Sequence, residues 1–291
     1  MKKSKIAVLC FVPLVLLGIS TPLSAITITP TQNLGLLENA LFGSGAAGID
    51  QDSITMSING HNCVDCGYGP DKISATSSGT FSNDNTYGMG SGLIMSTGGV
   101  SESVFDAGYP PFEPGGDGNP ATPQQNALLT PITGADDHND VTQIILNFDM
   151  LPGFDRVAFN VVFASDESPT PTLPNPFFPD GFGLFVNGTN IAHAFGQPVV
   201  ANHPDMKTTD GIRYESALGG GEGPLDSIHL FSSIVNPTNN EVILILGDAI
   251  DGEVQSAVFI TASSVPVPPS LLLFFSSISV LGWLRLKKSL V

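Results

Sequence analysis

The segment "RVAFNVVFAS", residues 156–165, sets Val157, Phe159, Val161 and Phe163 at every second position. A period of two marks a β-strand, because successive side chains leave an extended backbone on opposite faces. The same habit recurs in "VTQIILNFDM" from 141, "FGLFVNG" from 182, "EVILILGD" from 241 and "SAVFITAS" from 256, and in Ile54, Met56 and Ile58. Some of these runs are apolar on both faces, which places them in the middle of covered sheets. Gly, Pro and Asn clusters separate them, and that punctuation predicts a mostly β chain folded as an antiparallel β-sandwich or jelly roll.

One helix is expected. Thr29-Pro30-Thr31-Gln32 offers a cap, a proline for the first helical position and a glutamine placed for a capping box. Leu34, Leu37 and Leu41 follow at helical spacing and Gly43 is a natural stop. Two stretches break the β pattern. Tyr109–Gln125 and Ser168–Pro179 are rich in proline and read as surface loops between strands of one domain.

Both ends of the 291-residue chain differ from the middle. Lys2, Lys3 and Lys5 precede an apolar run from Ile6 to Leu17 and a small-residue exit, the layout of a secretory signal peptide, with cleavage expected after Ala25 or Ser20. At the other end Val265-Pro266-Val267-Pro268 leads into Ser270–Leu284 and then Arg285, Lys287 and Lys288. This apolar stretch makes about 22 Å of helix, short of a hydrocarbon core of about 30 Å. Flanking prolines and snorkelling lysines would help it span, with the basic end in the cytoplasm. The expected division is a signal peptide at 1–25, a β-sandwich domain at 26–262 and a tail with a transmembrane helix at 263–291.

Between these ends only Lys72, Arg156, Lys207 and Arg213 stand against all 27 acidic residues. Such a surface repels phosphate backbones, so nucleic acid is not an expected partner, and it favours solubility and divalent cations. Cys63 and Cys66 are the only cysteines beyond the leader. In an exported chain a lone pair is expected to close a small disulfide loop. A metal site using His61 would still need a fourth ligand.

The acids gather at strand ends: Asp136, Asp137 and Asp140 before one strand, Asp166 and Glu167 after the next, Asp180 before "GFGLF", and Asp248 and Asp251 after "VILIL". The plain reading is solvated turns. The sharper reading is calcium, which takes six to eight oxygen ligands, with Asp166, Glu167 and Asp180 best placed and Asp248 and Asp251 close by. Read instead as a glycosidase pair, two of these acids would have to face each other across a cleft. No nucleophile elbow is present, the five histidines show no ligand spacing, and the Asn187-Gly188-Thr189 sequon is explained by a turn.

The tail resembles the PEP-CTERM class of bacterial sorting signals in its Val-Pro-x-Pro variant. The resemblance implies processing by an exosortase-type enzyme in bacteria that make exopolysaccharide or biofilm. The middle resembles the choice-of-anchor L domain, in "GSGAAGI", "GTF", "GSGLIMSTGGVSES", "DVTQIILNFDM", "VVFASDES", "DGFGLFVNGTNIA" and "GDAIDGEVQSAVFI", which keep the family's order over about residues 30–262. Where that family reads Ser-Glu-Glu-Tyr, this chain has Ser165-Asp166-Glu167-Ser168. Together the resemblances imply an exported, non-catalytic surface or matrix protein, with exosortase and exopolysaccharide as partners. The alternatives are a calcium-dependent carbohydrate-binding module and a secreted glycoside hydrolase.

Overall fold

The alternating runs build two antiparallel sheets. In the computed structural model the described residues are 26–43, 48–60, 62–66, 73–84, 88–100, 118–165, 179–204, 206–208, 216–218, 229–250 and 256–263. In chain order they form β1 (Thr27–Pro30), α1 (Leu34–Phe42), β2 (Ile49–Asn59), β3 (Asn62–Cys66), β4 (Ile73–Asp84) and β5 (Gly90–Val100). Next come α2 (Pro123–Thr133), β6 (His138–Met150), β7 (Arg156–Ser165), β8 (Gly181–Val186), β9 (Thr189–Asn190), β10 (His193–Ala194) and β11 (Gln197–Val200). The last are β12 (Met206–Thr208), β13 (Ser216–Leu218), β14 (His229–Ile234), β15 (Asn240–Ala249) and β16 (Ser256–Ser263).

The first sheet runs β1-β4-β5-β16-β7-β13-β12, with β14 also on β7 and β3 on β4. The second runs β10-β11-β8-β15-β6-β2, with β9 on β8. Sequence order and spatial order differ, so the two strands most apolar on both faces, β7 and β15, each lie between neighbours. The core between the sheets takes Val157, Phe159, Val161 and Phe163 from β7, Leu93 and Met95 from β5, and Val258 and Ile260 from β16. Facing them are Ile144, Leu146 and Phe148 of β6, Phe182, Leu184 and Val186 of β8, and Val242, Leu244 and Leu246 of β15. Each such side chain contributes about 1.5–3 kcal/mol on leaving water.

The opposite faces are apolar as well. Val162, Ala164, Ala257, Phe259 and Ile94 form a second cluster, in which Phe81 meets Phe259 edge to face with centroids 5.2 Å apart. On the second sheet, Ile245, Phe185, Val141 and Val200 are covered by Leu129 and Ile132 of α2.

Both helices correct the sequence reading. Thr29 and Pro30 belong to β1, where Pro30 pairs with Gly79, and α1 starts later. Its cap is Asn33, whose side chain accepts from Leu36 N, and Gly43 ends it at φ 56°. Leu37 and Leu41 are buried, whereas Leu34 is exposed. α2 is an addition within and beyond the segment expected to be loop. Thr122 Oγ1 accepts from Gln125 N at 3.3 Å while Gln125 Oε1 accepts from Thr122 N at 2.9 Å, a reciprocal box ahead of Pro123. Pro131 in its last turn hides the helix from a reading by local propensity.

α2 can lie flat because glycines clear its path. Gly181 and Gly247 are register partners on β8 and β15. A Cβ on Gly247 would meet Leu129 Cδ1 at 2.7 Å and Val141 Cγ2 at 3.0 Å, and one on Gly181 would meet Thr133 Cγ2 at 2.5 Å. Cys63 and Cys66 lie on the backbone of β3 opposite β4, and their side chains lie outside the described residues. The expected signal peptide, 1–25, lies outside them too, as does the expected tail, 263–291, apart from Ser263 at the end of β16. Among the described residues no helix is long and apolar enough to cross a membrane.

Gly247→Ala is expected to destabilise the fold by about 1–3 kcal/mol through overpacking of α2. Urea unfolding of wild type and variant measures this directly, and an unchanged midpoint would contradict the close approach.

Candidate functional site

The inward-facing alternation does not stop where the apolar core ends. On β7 the series Val157, Phe159, Val161, Phe163 continues to Ser165, and on β16 the series Ile260, Val258 continues to Ser256. On β5 it passes from Leu93 and Met95 to Thr97, and on β6 from Ile144 to Thr142. On β15 it passes from Leu246 to Asp248, and ahead of β8 from Phe182 back to Asp180. All six polar residues are fully buried. One end of the sandwich is therefore closed by a polar layer drawn from both sheets.

Hydrogen bonds join that layer. Ala249 N donates to Asp180 Oδ1 at 3.1 Å and Ser256 Oγ donates to Asp180 Oδ2 at 2.6 Å. Ser165 Oγ lies 2.8 Å from Ser256 Oγ. Ser256 N donates to Thr97 Oγ1 at 3.0 Å, and Ser96 Oγ donates to Ser256 O at 3.1 Å. Thr142 Oγ1 crosses between the sheets to Ser96 O at 2.9 Å. Asp180 thus sits in donors supplied by β15 and β16, which suits a carboxylate.

Asp248 is different. It is 1 % exposed, and neither of its carboxyl oxygens has a hydrogen-bond donor. Burial pushes its pKa well above the usual carboxylate range, and the nearby charge of Asp180 adds to the effect. The Thr97 hydroxyl is close enough to oppose this without reaching hydrogen-bond geometry, while Asp140 adds a further upward push.

Asp140 is the third buried acid at this end. Its oxygens accept from Gly118 N at 2.8 Å and Asn119 N at 3.0 Å, so it anchors the approach to α2. It takes φ 48° where β6 bulges against β15, between the pairs Leu246–Thr142 and Asp248–Asn139.

Neighbouring strands thus bring Asp140, Asp180 and Asp248 to one end of the second sheet, as the sequence pattern suggested. They are interior groups, however, and not the solvated turn formers of the plain reading. Of the described strand-end acids, Asp136 and Asp137 stay exposed. Asp166, Glu167 and Asp251 lie outside the described residues, as do the sorting residues Val265, Pro266, Val267, Pro268, Arg285, Lys287 and Lys288. The reading of the acids missed Thr97, Thr142, Ser165 and Ser256. Extending each two-residue period by one step would have found them.

The remaining candidates are structural. His138 Nδ1 donates to Asn126 Oδ1 at 2.9 Å, which leaves Nε2 to accept from Thr133 Oγ1 at 2.8 Å, so the ring ties α2 to β6. His203 Nε2 donates to Ala194 O at 3.0 Å. Asn187 and Gly188 form the turn between β8 and β9 at φ 48° and 80°. Both ends of the Asn187 amide are engaged, with Asn240 Oδ1 and Glu241 N. A cavity of about 480 Å³ beside the end of α1 is lined by residues such as Asn39, Phe42, Met89 and Thr261, with no charged side chain among the described lining residues. Among the described residues no three His, Cys, Asp or Glu side chains converge as metal ligands.

Desolvation lowers the His138 pKa, against an upward pull from Asp137. Its contribution to stability is therefore complete above the unfolded value of about 6.5 and is lost as pH falls through the lowered folded value. His138→Gln is expected to flatten this acid limb in urea unfolding and to cost about 1–3 kcal/mol near neutral pH. An acid limb unchanged in the variant would assign the effect elsewhere.

Among known families, the one described as the choice-of-anchor L domain matches residues 25–208. The match stops before β13, β14, β15 and β16, which nevertheless complete both sheets. A comparison with curated proteins finds no match. Among solved structures, the catalytic domain of Agl-KA aligns at 13 % identity and a TM-score of 0.21, over 52 % of this chain and 26 % of that one. That likeness spans about a quarter of the other chain and carries no argument about fold or activity.

Proposed function

We propose a function that starts from kinship: the chain belongs to the choice-of-anchor L domain family, which implies a surface or anchored protein. In our reading it is exported by its N-terminal leader, held briefly by its C-terminal span and then processed by an exosortase-type enzyme. The mature sandwich is presented at the cell surface or released into a polysaccharide matrix, where it binds or builds and does not catalyse.

The observation that carries this reading is the order along the chain. A Lys-rich leader and apolar run precede the family domain, and Val265-Pro266-Val267-Pro268, an apolar stretch and Arg285, Lys287 and Lys288 follow it. A span of about 22 Å is a poor permanent anchor and a serviceable temporary one. The acids favour the same conclusion. A glycosidase holds two carboxyl groups about 5–10 Å apart across an open cleft, whereas Asp180 and Asp248 are sealed between the sheets.

The test is intact mass and cell fractionation of the native product, in hosts with and without the processing enzyme. The expected product lacks the segment beyond the proline motif and leaves the inner membrane only when the enzyme is present. Replacing Pro266 and Pro268 by alanine is expected to retain the tail. A full-length product in both hosts would overturn the sorting reading.

A further inference from the structure

We propose that Phe195, at the tip of the β10–β11 hairpin, is the contact point of a binding site for neutral polysaccharide. The register pair Ala194–Gln197 leaves only Phe195 and Gly196 to make the turn, and both take positive φ, 50° and 82°. Two-residue turns of this kind call for Asn-Gly, because a bulky side chain at the first position strains the left-handed backbone. The molecule supplies its own comparison. Asn187-Gly188, between β8 and β9, makes the same turn at φ 48° and 80° with the residues that the geometry prefers.

Phe195 therefore costs stability where Asn would not, and burial does not compensate. It is 76 % exposed, the highest value among the large hydrophobic residues described. A lone apolar residue on a surface needs no explanation. One held against backbone preference does, since strain of this kind collects at functional sites. The tip is also held firmly. Ala192, Ala194 and Val199 are buried in the core below it, and the buried His203 donates from Nε2 to Ala194 O at 3.0 Å. The ring is thus presented on a rigid stem.

The surroundings select the ligand. From Gly181 to His203 the sequence has no Asp, Glu, Lys or Arg, although the whole chain carries 27 acids. An ionic ligand would call for an opposite charge here, and an anionic lipid surface for Lys or Arg beside the ring. A protein interface needs a cluster of apolar anchors, whereas the other exposed large hydrophobic residues described, such as Leu36, Leu230 and Ile234, belong to other elements. What stands by Phe195 is polar: His193 and Gln197, both exposed, leave the hairpin on opposite faces. An aromatic ring offers its face to polarised C–H groups, and imidazole and amide groups bond hydroxyls. A neutral sugar ring presents both. The proposal deepens the reading of a matrix protein given above and rests on it for the class of polymer alone. Sorting and glycan binding are read by different measurements, so the failure of one is distinct from the failure of the other.

The experiment is retention of the full chain, purified in detergent, on beads carrying dextran, mixed-linkage β-glucan or galactomannan, with alginate beads as an anionic arm. Wild type should be retained on at least one neutral polymer and not on alginate. Phe195→Asn should cut that retention about tenfold or more, as loss of an aromatic anchor does, while raising Tm by about 1–4 °C through relief of the turn. Phe195→Trp should keep the retention. No retention of wild type on any neutral polymer, or retention on alginate alone, overturns the proposal and leaves the ring to a protein or lipid contact. Equal retention of F195N overturns it by placing the site elsewhere, and a lower Tm in F195N overturns it by making the ring structural.

Discussion

Everything in this molecule depends on strands that must be covered on both faces. β7 sends Val157, Phe159, Val161 and Phe163 into the space between the sheets and Val162 and Ala164 to the other side. β15 does the same with Val242, Leu244 and Leu246 against Ile243 and Ile245. A strand with this pattern is stable only between two neighbours and two layers. That requirement puts β7 between β14 and β16, puts β15 between β6 and β8, and calls α2 onto the outside of the second sheet. The glycines follow from the same demand. Covering Ile245 with Leu129 brings the helix so close that Gly181 and Gly247 leave no room for a methyl group.

The same alternation explains why the acids are inside. A strand's inward positions are fixed by its register, and slipping by one residue would turn every core side chain outward. Asp248 follows Leu246 on the inner face, and Asp180 precedes Phe182 there. Neither can be exposed without moving β8 or β15 against the core. The fold meets the cost by facing these positions with Thr97, Ser165 and Ser256, whose small side chains bring hydroxyls without bulk. Asp180 is fully served by this arrangement and Asp248 is not. Satisfaction of one acid and not its neighbour is difficult to attribute to general burial, because both lie in the same layer.

Much of this was written plainly in the sequence. The inner faces of β6, β7, β8, β15 and β16 follow from counting by twos, since tertiary packing reinforces the local pattern. The turn at Asn187-Gly188 was equally open to reading, because positive φ at both positions suits those residues. The helices were harder for opposite reasons. Thr29-Pro30 carries every local sign of a helix start, yet pairing with β4 claims it for β1, a long-range contact that no local signal announces. Thr122-Pro123 carries the same signs and is a helix start. There the proline-rich stretch ahead of it and Pro131 within it drowned the signal. The acids were legible as a group at strand ends, but not as interior groups, because their exposure depends on what stands opposite.

The division between inner and outer acids changes where the molecule's charge does its work. A formal charge of −17 over 291 residues suggests a uniformly anionic surface, and part of it is indeed exposed, as at Asp136 and Asp137. Asp140, Asp180 and Asp248 are not part of that exposed surface. Their role is internal and directional: Asp140 holds the loop that leads into α2, Asp180 draws β15 and β16 together, and Asp248 stands against Asp180. Burial and the neighbouring charge of Asp180 raise the pKa of Asp248, so a proton on Asp248 relieves the repulsion between β8 and β15. A partner that recognises the outside of this protein therefore meets a different set of acids from those that set its internal cohesion, and either set can change without altering the other.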